Sequence, residues 1–319
     1  MLTFRSSRRR TAAVVGIAFL GLAAAACSSS SSSSSSSSAA TSPSASASAS
    51  ASTSAAAAPT GSGPVNVLYA GSLVNMMEKQ IGPAFQTATG YTLSGIGAGS
   101  KDLAADIKGK VDKGDVFISA STKVDASLEG TKNGDWVSWY GTFGTSSVVL
   151  GYNPKSKFAA DLKSKPWYES ITEPGIKIGF TDPATDPKGE LVAKGLTGTA
   201  KSKNLPALST LAASKNDVFP EETLVGRLQS GQLDAGFFYA VEANAAKIPT
   251  VPLTGEDLKA TYTITVLNNA PHEAAAEAFV AYLLGPAGQA VMKADGLDIV
   301  SPYTVTGTGV PTSLSSVLP

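Results

Sequence analysis

Two Gly-Ser pairs offer the first chemistry in this chain. Ser72 follows Gly71 and Ser100 follows Gly99, each where a strand-like run gives way to apolar residues at helical spacing. The first turn of a helix leaves backbone N–H groups unpaired and carries a partial positive charge. A serine placed there can add its hydroxyl to those donors and hold an anion. Taken singly, each serine reads first as a helix cap. Two such corners in adjacent units of one sheet bring joint anion binding up beside that reading. A second pair, Asp182 and Asp186, stands in the run Gly179-Phe180-Thr181-Asp182-Pro183-Ala184-Thr185-Asp186-Pro187-Lys188-Gly189. Two carboxylates could serve acid/base chemistry of the glycoside-hydrolase kind. Four residues apart in a proline-bounded turn, they read more simply as a structural bracket. His272 is the single histidine, so neither a histidine triad nor a multi-histidine metal site is available. The folded part also has no Gly-x-Ser-x-Gly elbow and no Ser-x-x-Lys motif. A binding protein that is not an enzyme, with no cofactor, is the expectation.

Those residues need elements to position them. Val65 to Ala70 reads as a buried strand, and Leu73, Met76, Met77, Ile81, Ala84 and Phe85 then recur at helical spacing. The unit repeats: Tyr91 to Ile96 is strand-like, Gly97-Ala98-Gly99-Ser100 is the turn, and Leu103, Ala104, Ile107 and Val111 mark a helix. Val116 to Ser119 makes a third strand. Further strands are expected at Ser146 to Tyr152, Ile176 to Phe180, Ala235 to Tyr239 and Tyr262 to Leu267, with a helical stretch from Ala274 to Met292. Strands alternating with helices predict an α/β fold with a mostly parallel sheet, in which ligands sit beyond the carboxyl ends of the strands.

The N-terminus reads as an export signal over residues 1–26. Arg5, Arg8, Arg9 and Arg10 precede an uncharged stretch that ends in small residues, too short at about 16 residues to span a bilayer. Arg8-Arg9-Arg10 suits general or twin-arginine export alike. Cys27, the only cysteine, directly follows Ala24-Ala25-Ala26 and resembles the lipidated residue of a lipoprotein signal; ordinary cleavage nearby is the alternative. Residues 27–63 are then almost entirely Ser and Ala without charge, a composition that cannot build a core and suits a tether. The expected location is therefore the outer face of the cell membrane, anchored by lipid on Cys27. From Pro64 onward 256 residues remain, enough for one large core or two lobes. Removing the four signal arginines leaves 21 basic against 25 acidic side chains, which argues against nucleic acid as a partner. Arg227 is the one arginine left, so a bound anion must rely mainly on hydroxyls and backbone N–H groups.

Ala70-Gly71-Ser72-Leu73, Ala98-Gly99-Ser100, the Asp-Pro-x-x-Asp-Pro-x-Gly run and Asn269-Ala270-Pro271 with its downstream helix occur in an order that resembles the molybdate/tungstate-binding proteins of ABC transporters, the branch common in archaea. The likeness runs from about Val65 to Ile299. It implies a two-lobed periplasmic-binding-protein-like fold of type II with two hinge strands, lobe 1 being 64–147 with 262–319 and lobe 2 being 148–261. It implies a monomer that closes on molybdate or tungstate and docks on a membrane permease served by an ATPase subunit. Residue by residue, Ser72 and Ser100 match oxyanion-binding serines. Lys188 and Glu221 fall near backbone N–H donors at helix starts, and Tyr239 matches a tyrosine whose hydroxyl reaches the oxyanion. Asp186 matches a carboxylate that joins the molybdenum or tungsten centre of the ligand. The later carboxylate of that branch is replaced here by Phe238, with Glu242 one turn further on. The other readings are a binding protein for another small anion such as sulfate, a glycoside-type hydrolase, and a structural surface lipoprotein.

Overall fold

Buried apolar runs become strands and the Gly-Ser corners become helix starts in the computed structural model of the chain, which describes residues 61–319. The expected signal peptide, Cys27 and the Ser/Ala tether up to residue 60 lie outside the described residues. Strand β1 (Pro64–Ala70) runs straight into a continuous helical stretch from Gly71 to Thr89, ended by Gly90 at φ 84°. Leu73, Met76, Met77, Ile81 and Phe85 are all buried on its inner face. Each such side chain contributes roughly 1.5–3 kcal/mol of hydrophobic stabilisation. Strand β2 (Thr92–Ala98) leads through Gly99 into the helix Ser100–Gly109, and β3 (Val116–Ser119) follows. β1 lies between β2 and β3 and is parallel to both.

The rest of the sheet departs from the parallel expectation. β4 (Trp139–Tyr152), β5 (Ile178–Gly179), β6 (Ala235–Tyr239), β7 (Thr250–Pro252), β8 (Lys259–Val266) and β9 (Asp298–Gly307) complete the set among the described residues. Only β5 and β6 add another parallel pair. β3 with β8, and β4 with β6, β7, β8 and β9, are antiparallel. The cause is the long strand β4. From Trp139 to Ser147 it pairs with β8 and β9, and from Val148 to Tyr152 it pairs with β6 and β7. One strand therefore belongs to two sheets, and the chain crosses back along it. The strand expected at Ile176 to Phe180 shrinks to Ile178–Gly179 plus a single bridge from Phe180 to Val218. The helix expected over Ala274 to Met292 is two helices, Glu273–Leu284 and Pro286–Ala294. Gly285 is extended and Pro286 opens the second helix, because proline has no N–H for the preceding helix to accept.

His272 has a structural place. Its N–H donates to Asp115 Oδ1 at 2.8 Å and its Nδ1 lies 3.0 Å from Asp115 Oδ2. The same carboxylate accepts from Asn66 N–H on β1 at 2.7 Å. Asp115 thus ties β1 to the entrance of the last helical layer, and the one histidine is spent on that clasp. The described residues 61–319 belong to one compact unit with its own hydrophobic core, which is the requirement for folding without the segment before it.

Candidate functional site

The Gly-Ser corners, the Asp-Pro run and the end of β6 meet in one buried region. Ser72 is buried where β1 passes into its helix, and its Oγ lies 2.9 Å from the hydroxyl of Tyr262 on β8. Ser100 is buried at the start of its own helix, and its Oγ accepts the Ala120 N–H at 3.1 Å. Neither side chain caps its helix. The Ser100 hydroxyl proton remains available to a ligand, since that oxygen is engaged only as an acceptor.

The Asp-Pro run is a turn that delivers a helix. Asp182 Oδ1 accepts the Ala184 N–H at 2.9 Å, which closes the turn and makes Asp182 the structural half of the pair. Asp186 is the N-cap of the helix Pro187–Lys203. Its Oδ1 accepts from Lys188 N–H at 2.7 Å, Gly189 N–H at 3.2 Å and Thr181 Oγ1 at 2.8 Å. The Lys188 N–H, expected at the oxyanion, is thus engaged by the carboxylate two residues before it. Gly189 is needed at this start: a Cβ there would stand 2.3 Å from the Thr181 carbonyl oxygen.

Lys188 sends a fully buried ammonium inward. Its Nζ lies 2.6 Å from Glu242 Oε2 and 3.1 Å from Glu221 Oε1. Burial pulls the ammonium's pKa down, but the charges of Glu242 and Glu221 outweigh it and hold Lys188 protonated. Glu221 opens the helix Glu221–Gln229, and burial, reinforced by the nearby Asp186, pushes its carboxyl well above the usual range. Glu242 is raised chiefly by burial, with Lys188 opposing the shift. Both Glu221 oxygens and one Glu242 oxygen are buried without a hydrogen-bond partner among the described residues.

Tyr239 ends β6, and its ring meets that of Tyr262 edge-on with centroids 6.0 Å apart. Its hydroxyl is buried and has no partner among the described residues. Burial, with Asp186 next, raises the Tyr239 pKa well above the phenol value; Tyr262 is raised likewise by burial. Both hydroxyls therefore keep their protons and can donate. Beside this cluster opens a cavity of about 430 Å³ whose lining includes Gly99, Thr181, Asp186 and Glu221. The lining holds five carboxylates, from Asp102, Asp182, Asp186, Glu221 and Glu222, and no cation.

Ser72, Asp186, Lys188, Glu221 and Tyr239 thus come together, with Ser100 at the facing corner, where Gly99 packs against Thr185 and Asp186. Sequence reasoning missed Tyr262 and Thr181, and it left Glu242 without a role. Glu242 had a local signal: it stands three residues after Tyr239 and accepts that residue's N–H at 3.2 Å, the spacing of an acid that caps a helix start. Tyr262 had none, being 190 residues from Ser72. Phe238 is wholly buried among Leu224, Leu228, Leu233 and Ile248, so that position serves packing.

The sequence pattern of the bacterial extracellular solute-binding proteins matches residues 65–298. An uncharacterised solute-binding protein of Petrotoga mobilis is 27% identical over 277 residues, covering 76% of this chain and 85% of that protein. The molybdate/tungstate-binding protein WtpA of Thermococcus kodakarensis is 26% identical over 225 residues; the match covers 54% of this chain and 64% of WtpA, less than two thirds of its length. Among solved structures, the periplasmic molybdate-binding protein of Azotobacter vinelandii superposes with a TM-score of 0.59 at 20% identity, over 74% of this chain and all of that one. That likeness shows the two-lobed type II periplasmic-binding-protein fold. No helix among the described residues is long and apolar enough to cross a membrane. With the family pattern spanning nearly all the described residues, from β1 to the start of β9, the chain belongs to the bacterial extracellular solute-binding proteins.

Proposed function

We propose that this chain captures molybdate or tungstate for an ABC importer by closing two lobes, 64–147 with 262–319 and 148–261, around the oxyanion. The observation that carries the reading is the gathering of neutral hydroxyl donors from both sheets in one buried region. Ser72 and Tyr262 come from the side of β1 and β8, Tyr239 from the end of β6, and Ser100 from the corner facing Asp186. Preformed hydroxyls that remain protonated can complete a tetrahedral oxyanion's shell without a cation at each oxygen. The relatives named for molybdenum and tungsten oxyanions point the same way.

Closure is supported by bonds between the two sides. Lys101, on the helix after β2, donates its N–H to Thr185 O at 3.2 Å. Its ammonium donates to Pro183 O at 3.0 Å and to Glu190 Oε2 at 2.8 Å. In this reading the oxyanion is first bound by one lobe, the second lobe completes its shell, and the closed form docks on the permease, whose ATPase drives release. The segment 1–26 is an export signal, Cys27 carries the lipid, and residues 27–63 are the tether that lets the domain reach the permease.

Calorimetric titration of residues 56–319 with molybdate, tungstate, sulfate and phosphate in one buffer tests the cargo. Tight binding of the first two with sulfate silent is the expected result. Silence toward all four overturns the oxyanion assignment.

A further inference from the structure

Glu221 stands out because its side chain does something its backbone does not need. The proposed oxyanion corner is the turn Gly71-Ser72. A Cβ built on Gly71 would lie 2.8 Å from Glu221 Oε2, 3.0 Å from its Cγ and 3.1 Å from its Cβ. The side chain of a residue that opens the helix Glu221–Gln229 therefore reaches across to the start of the helix after β1 and rests on the anion's corner. Its carboxyl is buried, yet neither oxygen has a hydrogen-bond partner among the described residues. Among the described residues, the charge that faces it favourably is the Lys188 ammonium at 3.1 Å, which is already held at 2.6 Å by Glu242. Asp186 lies close enough to oppose it.

We propose, resting on the oxyanion reading above, that the Glu221 carboxylate is a built-in competitor for the cargo. It places a buried carboxyl with two acceptor oxygens against Gly71, so an oxyanion must displace it to reach that corner. The side chain and an oxyanion cannot share the spot. The carboxyl fills volume the oxyanion needs, and any charge it carries repels the anion in a region from which water is largely excluded. Displacement leaves Lys188 free to turn part of its charge toward the incoming anion. The competitor lowers the affinity of every oxyanion by the same factor. Strong ligands still bind, and weak ones fall below the concentration at which the cleft fills. Glu221 thereby sets a threshold of selection, while its backbone N–H stays at the helix start whatever side chain is present.

The test separates side chain from backbone. Glu221→Ala removes both the charge and the volume from the corner and keeps the N–H. Glu221→Gln removes the charge alone and guards against a folding defect in the alanine variant. Each is titrated with molybdate and with sulfate beside the parent domain, after thermal melting shows that it is folded. The expected result is a rise in molybdate affinity of about tenfold or more in Glu221→Ala, equivalent to ~1.4 kcal/mol, a smaller rise in Glu221→Gln, and sulfate binding that becomes measurable in Glu221→Ala. Molybdate affinity equal to or below the parent's in both variants overturns the competitor role while leaving the oxyanion reading intact. Silence of the parent and both variants toward every oxyanion removes the reading and the competitor with it.

Discussion

The serine hydroxyls are the residue-scale test of the site. Ser72 and Ser100 do not cap their helices, so each is free to serve as a donor to a ligand. Ser72→Ala and Ser100→Ala should each weaken molybdate binding by about 1–3 kcal/mol, roughly 5- to 150-fold, in calorimetric titration. Unchanged affinity in both would remove these residues from the site. Lys188 makes a different prediction, because its buried ammonium is the counter-charge of Glu221 and Glu242. Lys188→Met fills a similar volume but leaves two buried carboxyls without a cation. It should destabilise the domain by about 3–5 kcal/mol in urea unfolding. Protonation of the freed carboxyls at low pH should recover part of that loss, since a neutral carboxyl is cheaper to bury.

At the scale of elements, the helix Pro187–Lys203 is the part that aims the second half of the site. Its start is defined by the Asp186 cap and by Gly189, whose missing Cβ lets the first turn press against the Thr181 carbonyl. Gly189→Ala would force that turn outward, and the shift would stretch all three bonds to Asp186 Oδ1. A stability loss of about 2 kcal/mol or more, seen as a lowered melting temperature, should come together with weaker molybdate binding. A loss of stability alone would mean that the cap supports the fold but does not position the site. Strand β4 is the second decisive element. By changing partners between Ser147 and Val148 it joins the sheet that holds Ser72 to the sheet that holds Tyr239.

At the scale of the whole molecule, stability should depend on pH through carboxyls buried without adequate partners. Asp125 is fully buried; its Oδ2 accepts from Thr263 Oγ1 at 2.6 Å, and its Oδ1 has no partner among the described residues. Burial, only partly offset by the Thr263 bond, pushes its pKa up to about 7 from a model-compound value of 3.8. The folded state therefore holds this proton more tightly than the unfolded state does. Asp125 leaves stability unaffected below about pH 4 and reduces it progressively as pH rises from about 4 to about 7, by a few kcal/mol at most. Chemical unfolding across that window should show the decline, and Asp125→Asn should make it shallower. Glu221 and Glu242 are raised in the same sense, so the slope should diminish without vanishing. An identical slope in Asp125→Asn would mean that Asp125 is ionised throughout.

Short-range order was legible in the amino-acid sequence because it rests on local chemistry. Strand-like apolar runs between turn residues located β1, β2, β3, β6 and β8 to within a few residues, and the two Gly-Ser corners were visible as helix starts and the Asp-Pro run as a turn. The antiparallel frame was not legible. Residues 139–145 of β4 become a strand by pairing with β8 and β9, and β9 by pairing with β4, which no local pattern announces. The site divides in the same way. Ser72, Ser100, Asp186, Glu221 and Tyr239 could be named from turn chemistry and a resemblance. Only the tertiary structure brought Tyr262 to Ser72 and turned the Lys188 ammonium toward Glu221 and Glu242, which stand 33 and 54 residues further along the chain. It also laid the Glu221 carboxyl on Gly71. Local preference sets where a helix begins. Which buried charges share its first turn is decided by long-range packing, because a buried ion is tolerable only where the fold supplies its partner.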